Sequence, residues 1–313
     1  MRVLFWGTPE FAAPALRALL GEGFDVVGVV TQPDRPRGRS RSRLVPSPIK
    51  EIALAEGLPI LQPESPRAPE FLAAVKELDA TASAVVAYGH ILPQTLLDTP
   101  PLGTFNVHAS LLPSLRGAAP IQAAIRNGLP ETGITVIRLL PALDAGPMIL
   151  QLATPIAADE TYGELQLRLS ELGAEALIEA LSLLDVGAAR ETAQDDSLAT
   201  YAPKVDREAA RIDWSDTALE VSRVIRAYDP RPGAFARGPL GVGREVKLFG
   251  ALVVSGAPPG APGDVTDIGE IGLVVACGSG AVAISQIQPE GRPRMSPSEW
   301  ARGRGIAVGD HLG

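Results

Sequence analysis

The chain has 313 residues, with 28 lysines and arginines against 36 aspartates and glutamates and a formal charge of −8, a balance that speaks against holding nucleic acid by bulk charge. At roughly 100 to 200 residues per domain the length suits two domains, and with 46% hydrophobic residues each can bury a core. The single cysteine, Cys277, excludes an internal disulfide and reads as an inert core residue; no CxxC or Cys/His cluster offers a zinc site, so no metal is expected.

The first apolar run, Val3–Trp6, is too short for a signal peptide and is soon followed by Glu10. No stretch nears ~20 apolar residues, so the expectation is a soluble, cytoplasmic protein with no membrane partner. Gly7-Thr8-Pro9 then ends the run, and Phe11, Ala15, Leu16, Leu19 and Leu20 recur at helical spacing, which predicts strand, turn and helix. Asp25–Val30 is continuous and β-branched, like a strand buried on both faces of a parallel sheet. Asp34 to Arg43 holds five arginines (Arg35, Arg37, Arg39, Arg41 and Arg43) and one acid. It is either a solvated loop or a positive feature that directs a polyanion to one place. Helical patterns follow around Pro48–Glu56 and Pro69–Leu78, and strands at Ala84–Ala87, Phe105–His108, Ile134–Leu140 and Met148–Ala153, before a long helix at Thr161–Leu184. This alternation predicts an α/β fold with a doubly wound, Rossmann-like sheet.

From Val186 to Asp206 the chain is small, polar and aperiodic, which reads as a linker (187–206) between a domain at 1–186 and another at 207–313. Thr217–Tyr228 then predicts one helix, and Glu245–Val254, Gly272–Ala276 and Ala281–Ile287 predict strands punctuated by glycine and proline, a pattern that favours a small OB-like β-barrel. The charge divides at the same place. Residues 1–206 hold 16 basic and 24 acidic side chains, whereas 207–313 hold 12 of each and are neutral.

The turn after the first strand lacks the second glycine of GxGxxG, and no GxxxxGK[ST] occurs, which disfavours NAD and a P-loop nucleotide. Ligands of open α/β sheets lie beyond the carboxyl ends of strands, and Asn106-Val107-His108 leaves a predicted strand there. Two residues apart on a strand, Asn106 and His108 point the same way. They could hold the oxyanion formed when an amine attacks an acyl or formyl carbon. A carboxylate is then needed to orient the histidine or help remove the amine's proton, and Asp144, between two predicted strands, is a candidate. On spacing alone, Asn106 and His108 could equally satisfy a turn and Asp144 make an Asx turn. His90 follows another strand end and could line the same crevice; His311 reads as solvated.

Asn106-Val107-His108 with SLLPSLRGAAP (110–120) and LDAG (143–146) resembles the signature of the folate-dependent formyltransferases. TQPDRPRGR (31–39), PSP (46–48) and RIDW (211–214) are similar to the branch that formylates initiator methionyl-tRNA. The resemblance implies transfer of a formyl group from 10-formyltetrahydrofolate, as co-substrate, to initiator Met-tRNA, supporting translation initiation by a monomeric enzyme. It also implies that Asn106, His108 and Asp144 are catalytic. Ser110, Leu111, Leu112 and Pro113 line the folate site, with Tyr88, Gly89, His90 and Leu92 nearby. Arg35, Arg37, Arg39, Arg41 and Arg43 meet the tRNA, and Arg223, Arg226 and Arg244 contact it from the second domain. Arg39 matches the family's loop arginine, with Arg41 the alternative because the loop is one residue longer than the commonest form. Ala142 stands where the family usually has glycine, His90 where Leu or Gln is common, and Ser114-Leu115 where a basic-aromatic pair is usual. Two other readings remain: formylation of a small amine, such as a sugar nucleotide or glycinamide ribonucleotide, or a nucleic-acid-binding module whose α/β part is inactive.

Overall fold

The computed structural model describes residues 1–37, 43–239, 245–256 and 258–313. In chain order the strands are β1 (Arg2–Gly7), β2 (Asp25–Val30), β3 (Arg35–Arg37), β4 (Arg43–Val45), β5 (Ile60–Leu61), β6 (Ala82–Val86), β7 (Thr104–His108), β8 (Glu131–Arg138), β9 (Met148–Pro155), β10 (Ala234–Arg237), β11 (Glu245–Val254), β12 (Val265–Gly269), β13 (Gly272–Ala276) and β14 (Ala281–Pro289). The helices are α1 (Ala13–Gly21), α2 (Pro48–Ala55), α3 (Pro69–Glu77), α4 (Gln94–Leu97), α5 (Pro120–Arg126), α6 (Tyr162–Asp185), α7 (Ala218–Ala227) and α8 (Pro297–Arg302).

Contacts divide the chain into two units, one of residues 1–117, 132–154 and 166–202, the other of 118–131, 155–165 and 203–313. The first is built on a seven-stranded sheet in the order β5-β2-β1-β6-β7-β8-β9. Strands β5 to β7 run parallel, and β8 turns antiparallel to β7 with His108 opposite Thr135. Val3, Leu4, Phe5, Val29 and Val30 are wholly buried, as expected of parallel strands covered on both faces. Each such side chain contributes roughly 1.5–3 kcal/mol of transfer free energy. The Rossmann-like expectation is met. The residues expected as a loose linker are instead tied to this unit as far as Ala202, through Met148–Thr192 pairing and hydrogen bonds between 113–116 and Thr200 to Ala202. Backbone bonds of this kind have no hydrophobic period, which is why they escape the sequence pattern.

The second unit carries an antiparallel sheet, β10-β11-β14-β13-β12, the expected OB-like β fold with β10 and β12 added to the three strands read from the sequence. Trp214, Val221, Ile225, Leu248, Leu273, Val282 and Ile284 form its core. Cys277 lies in that core too, and burial pushes its thiol up to about 11, the inert state expected. Helix α7 starts at a capping box: the Thr217 hydroxyl accepts from the Glu220 amide, and the Glu220 carboxylate from the Thr217 amide. Among the described residues no helix is long and apolar enough to cross a membrane.

Thr217→Ala removes the side-chain half of this cap, and the expected cost is about 1 kcal/mol, read as a midpoint lowered by about 3 °C in thermal melting. An unchanged midpoint would place the start of α7 under tertiary control alone.

Candidate active site

Strand β7 carries Asn106 and His108 at alternate positions, Asn106 half-buried and His108 buried. Two neighbouring loops then close on the imidazole. The loop after β7 turns back so that the Leu115 carbonyl lies 3.0 Å from His108 Nε2. A carbonyl only accepts, so Nε2 carries a proton. The loop between β8 and β9 places Asp144 Oδ2 at 3.6 Å from His108 Nδ1, with both side chains nearly sealed from water at 6% and 11% exposure. The same oxygen accepts from the Gly117 amide at 2.8 Å, which leaves the carboxylate anchored while it faces the ring. A proton reaching Nδ1 lies directly opposite an anion in a poorly solvated place, where charge interactions are strong. The arrangement can therefore orient the imidazole.

Both loops are strained next to the histidine. Leu115 has φ +60° and Asp144 φ +48°, left-handed conformations that a bulky side chain rarely adopts and an aspartate tolerates better. Gly117, at φ +118°, has the Ala202 carbonyl oxygen 2.6 Å from where a Cβ would stand. Ala142, in the family's glycine position, is outside the left-handed region, so the turn that aims Asp144 needs no glycine there. Leu115 acts through its carbonyl, which the departure from the basic-aromatic pair leaves intact.

The Ser110–Pro113 segment is braced by a buried threonine missed in the sequence reading. Thr135 Oγ1 donates to Ser110 O at 2.6 Å and accepts from Leu112 N at 3.1 Å. Gln151 Nε2 donates to Leu112 O at 2.9 Å. Ser110 and Leu112 are consequently buried, whereas Leu111 and Pro113 are part-exposed. Near β6, Gly89 and His90 are exposed and Leu92 is buried. The Tyr88 side chain is turned into the core against Trp6, at 5.3 Å between rings, and its burial pushes the phenol up to about 12. Of Tyr88, the backbone carbonyl is used, accepting from Thr8 Oγ1 and Gln32 Nε2. His90 meets the Tyr88 ring edge-on at 5.6 Å. Among the described residues no group of His, Cys, Asp or Glu could hold a metal.

The described ends of the arginine-rich segment pair as a two-stranded ribbon. β3 pairs antiparallel with β4, with Arg35 opposite Val45 and Arg37 opposite Arg43. Arg39 and Arg41 lie outside the described residues, as does Arg244. The base of the ribbon is pinned. Asp34 receives Lys50 Nζ at 2.7 Å and Gln62 Nε2 at 2.8 Å, and Thr31 Oγ1 lies 2.7 Å from Ser47 Oγ, the N-cap of α2. The Lys50 bond first, then that of Gln62, holds the Asp34 carboxyl below its usual value. The pair therefore supports the ribbon above the ordinary carboxylate range and releases it as pH falls through the lowered value. Arg35 is exposed and donates to Gln32 Oε1. Arg226 differs from expectation: it is buried, its Nη1 donating to Glu160 O at 3.0 Å, so it supports its own unit rather than presenting a surface cation.

His108 and Asp144 lie together at the carboxyl end of β7, with Asn106 two residues earlier on the same strand. A model described as "Formyl transferase" matches residues 1–181, and one described as "Formyl transferase, C-terminal domain" matches residues 204–305. The chain belongs to the formyl transferase family. It is 46% identical over 315 residues to the methionyl-tRNA formyltransferase of Pseudomonas fluorescens (strain SBW25), covering 100% of this chain and 98% of that protein. To the methionyl-tRNA formyltransferase of Geobacter metallireducens it is 43% identical, covering 100% and 99%. HypX from Aquifex aeolicus in complex with tetrahydrofolic acid shares the fold, with a TM-score of 0.69 at 19% identity over 98% of this chain and 48% of that one. So does WlaRD, a sugar 3N-formyl transferase, with a TM-score of 0.68 at 17% identity over 94% and 99%.

Gly117→Ala would both strain the backbone and push against Ala202, displacing the amide that anchors Asp144. Formyl transfer is expected to fall by about 10²-fold, the scale of an ångström of misplacement, with an unchanged far-ultraviolet circular dichroism spectrum. Turnover within twofold of the unaltered protein would mean that the Gly117 amide does not set the position of Asp144.

Proposed function

We propose that the chain transfers the formyl group of 10-formyltetrahydrofolate to the free amino group of methionyl-initiator-tRNA. The observation that carries this reading is the sealed His108–Asp144 pair beside Asn106, in a chain that aligns from end to end with relatives named for that reaction. Residues 1–186 do the chemistry and 207–313 take part in holding the tRNA; of the residues between them, those as far as Ala202 pack with the first unit.

The co-substrate supplies an activated formyl group. The part-exposed Leu111 and Pro113 give an apolar edge, next to His108 in the chain, that suits a flat heteroaromatic ring, with Gly89 and His90 as further candidates. Asn106 donates its amide hydrogens to the formyl oxygen as that oxygen becomes negative, with the His108 imidazole on the same face of the strand. Asp144 keeps the imidazole aligned and, through a water, assists loss of the amine's proton. The new bond joins the methionyl nitrogen to the formyl carbon, the bond from that carbon to the folate nitrogen breaks, and the leaving nitrogen regains a proton. Arg35, Arg37, Arg39, Arg41 and Arg43 meet phosphates at the acceptor end of the tRNA, since a guanidinium forks onto phosphate oxygens. The acidic body around them repels the polyanion elsewhere.

Incubation with 10-formyltetrahydrofolate and initiator Met-tRNA is expected to yield formyl-Met-tRNA, with elongator Met-tRNA and an amino-sugar nucleotide as parallel acceptors. His108→Ala should lower kcat by about 10²–10⁴-fold. Replacing Arg39 and Arg41 with alanine should reduce the salt dependence of log kcat/KM by about 1.5, the loss of two phosphate contacts. Formylation of the amino sugar with none of the tRNA would overturn this reading in favour of a small acceptor. Tight tRNA binding without transfer would favour a binding module.

A further inference from the structure

Gln194 stands in the aperiodic stretch beyond α6, in a part of the sequence with no motif to mark it. Its side-chain amide is fully engaged. Nε2 donates to the backbone carbonyls of Asp144 at 2.8 Å and Gly146 at 2.7 Å. Oε1 accepts from Arg116 Nε at 3.1 Å and Nη2 at 2.8 Å. The orientation of the amide follows from its partners, because carbonyls only accept and a guanidinium only donates. Arg116 is itself 4% exposed, and its Nη2 also reaches Asp196 Oδ1 at 2.7 Å, which compensates a buried cation.

Arg116 sits between the two residues that touch the reacting pair from the other side: Leu115, whose carbonyl faces His108 Nε2, and Gly117, whose amide holds Asp144 Oδ2. The loop after β7 and the loop between β8 and β9 are thus joined by one side chain that belongs to neither. Pro141, Ala142 and Leu143 are exposed, and Asp144 holds a left-handed conformation that the surroundings must impose.

We propose that Gln194 is a positioning residue for formyl transfer, clamping the Asp144 loop against Arg116 so that the Asp144 carboxylate stays opposite His108. This rests on the reaction proposed above. It makes the stretch between the two family regions part of the site rather than a tether, and it gives the buried Arg116 a role in aligning the chemistry.

Gln194→Glu tests it with least disturbance, because a carboxylate still accepts from Arg116 but can no longer donate to the two carbonyls; Gln194→Met removes both halves. For each, kcat is expected to fall about 30-fold while KM for the folate donor and for Met-tRNA stays within about threefold, the signature of lost alignment rather than lost binding. In an Asp144→Asn background the same change should cost less than about twofold, since the group being aligned is already gone. A contribution to folding alone would cost the same in both backgrounds. Independently of turnover, the Gly117 amide should exchange with solvent at least about tenfold faster in Gln194→Glu. Wild-type kcat in Gln194→Glu, equal losses in both backgrounds, or unchanged Gly117 exchange would each overturn the proposal. If the unaltered protein itself formylates no Met-tRNA, the proposed reaction fails, and Gly117 exchange alone decides whether Gln194 clamps the loop.

Discussion

Asp144 must keep a nearly dehydrated carboxylate opposite His108, and its Oδ2 does so 3.6 Å from the ring by accepting from the Gly117 amide. An anion in such a place is costly unless it is hydrogen-bonded and paired, and much of the first unit supplies those conditions. The sheet provides β7 and therefore the histidine. The strained turn at Leu115 presents a carbonyl to the other ring nitrogen and an amide, two residues on, to the carboxylate. Glycine at 117 exists because neither the backbone conformation nor the Ala202 carbonyl leaves room for a side chain. Thr135 and Gln151 brace the loop from behind, and Gln194 and Arg116 close it from the side.

Both sheets were legible because buried strands and amphipathic helices have periods. Asp25–Val30, Glu245–Val254 and Gly272–Ala276 fall where the pattern places them. Asn106, His108 and Asp144 were picked out as a candidate set through the resemblance, and the structure brings His108, at the end of β7, together with Asp144, in a loop 36 residues further on. What sequence reasoning missed lacks any period: an amide at Gly117, a carbonyl at Leu115, Thr135 between Ile134 and Val136, and Gln194 in a polar stretch. Tyr88 and Arg226 both turn their side chains inward. The sequence places both beside functional segments but does not say which way a side chain turns, and burial decides it for each.

The charge of −8 is compatible with a tRNA acceptor because it is not shared evenly. Residues 1–206 carry the whole excess, while the arginine ribbon inside them is positive and 207–313 are neutral. The ribbon's base is held by Asp34, Lys50 and Gln62 and by Thr31 against Ser47. These ties hold the described strands of the ribbon, β3 and β4, and the positive charge is local to that segment while the molecule as a whole stays acidic. That keeps binding electrostatic, salt-sensitive and reversible.

In the reaction proposed for this chain, the Asp144 carboxylate, held opposite His108, serves the transfer itself rather than binding. Single-turnover formylation of initiator Met-tRNA by Asp144→Asn, with donor and tRNA saturating, tests it most directly. The amide keeps the size and can still accept from Gly117, but it carries no charge for the imidazole. A rate lowered by about 10²-fold or more, with donor and tRNA affinities unchanged, is the expected result. A single-turnover rate equal to that of the unaltered protein would contradict the account.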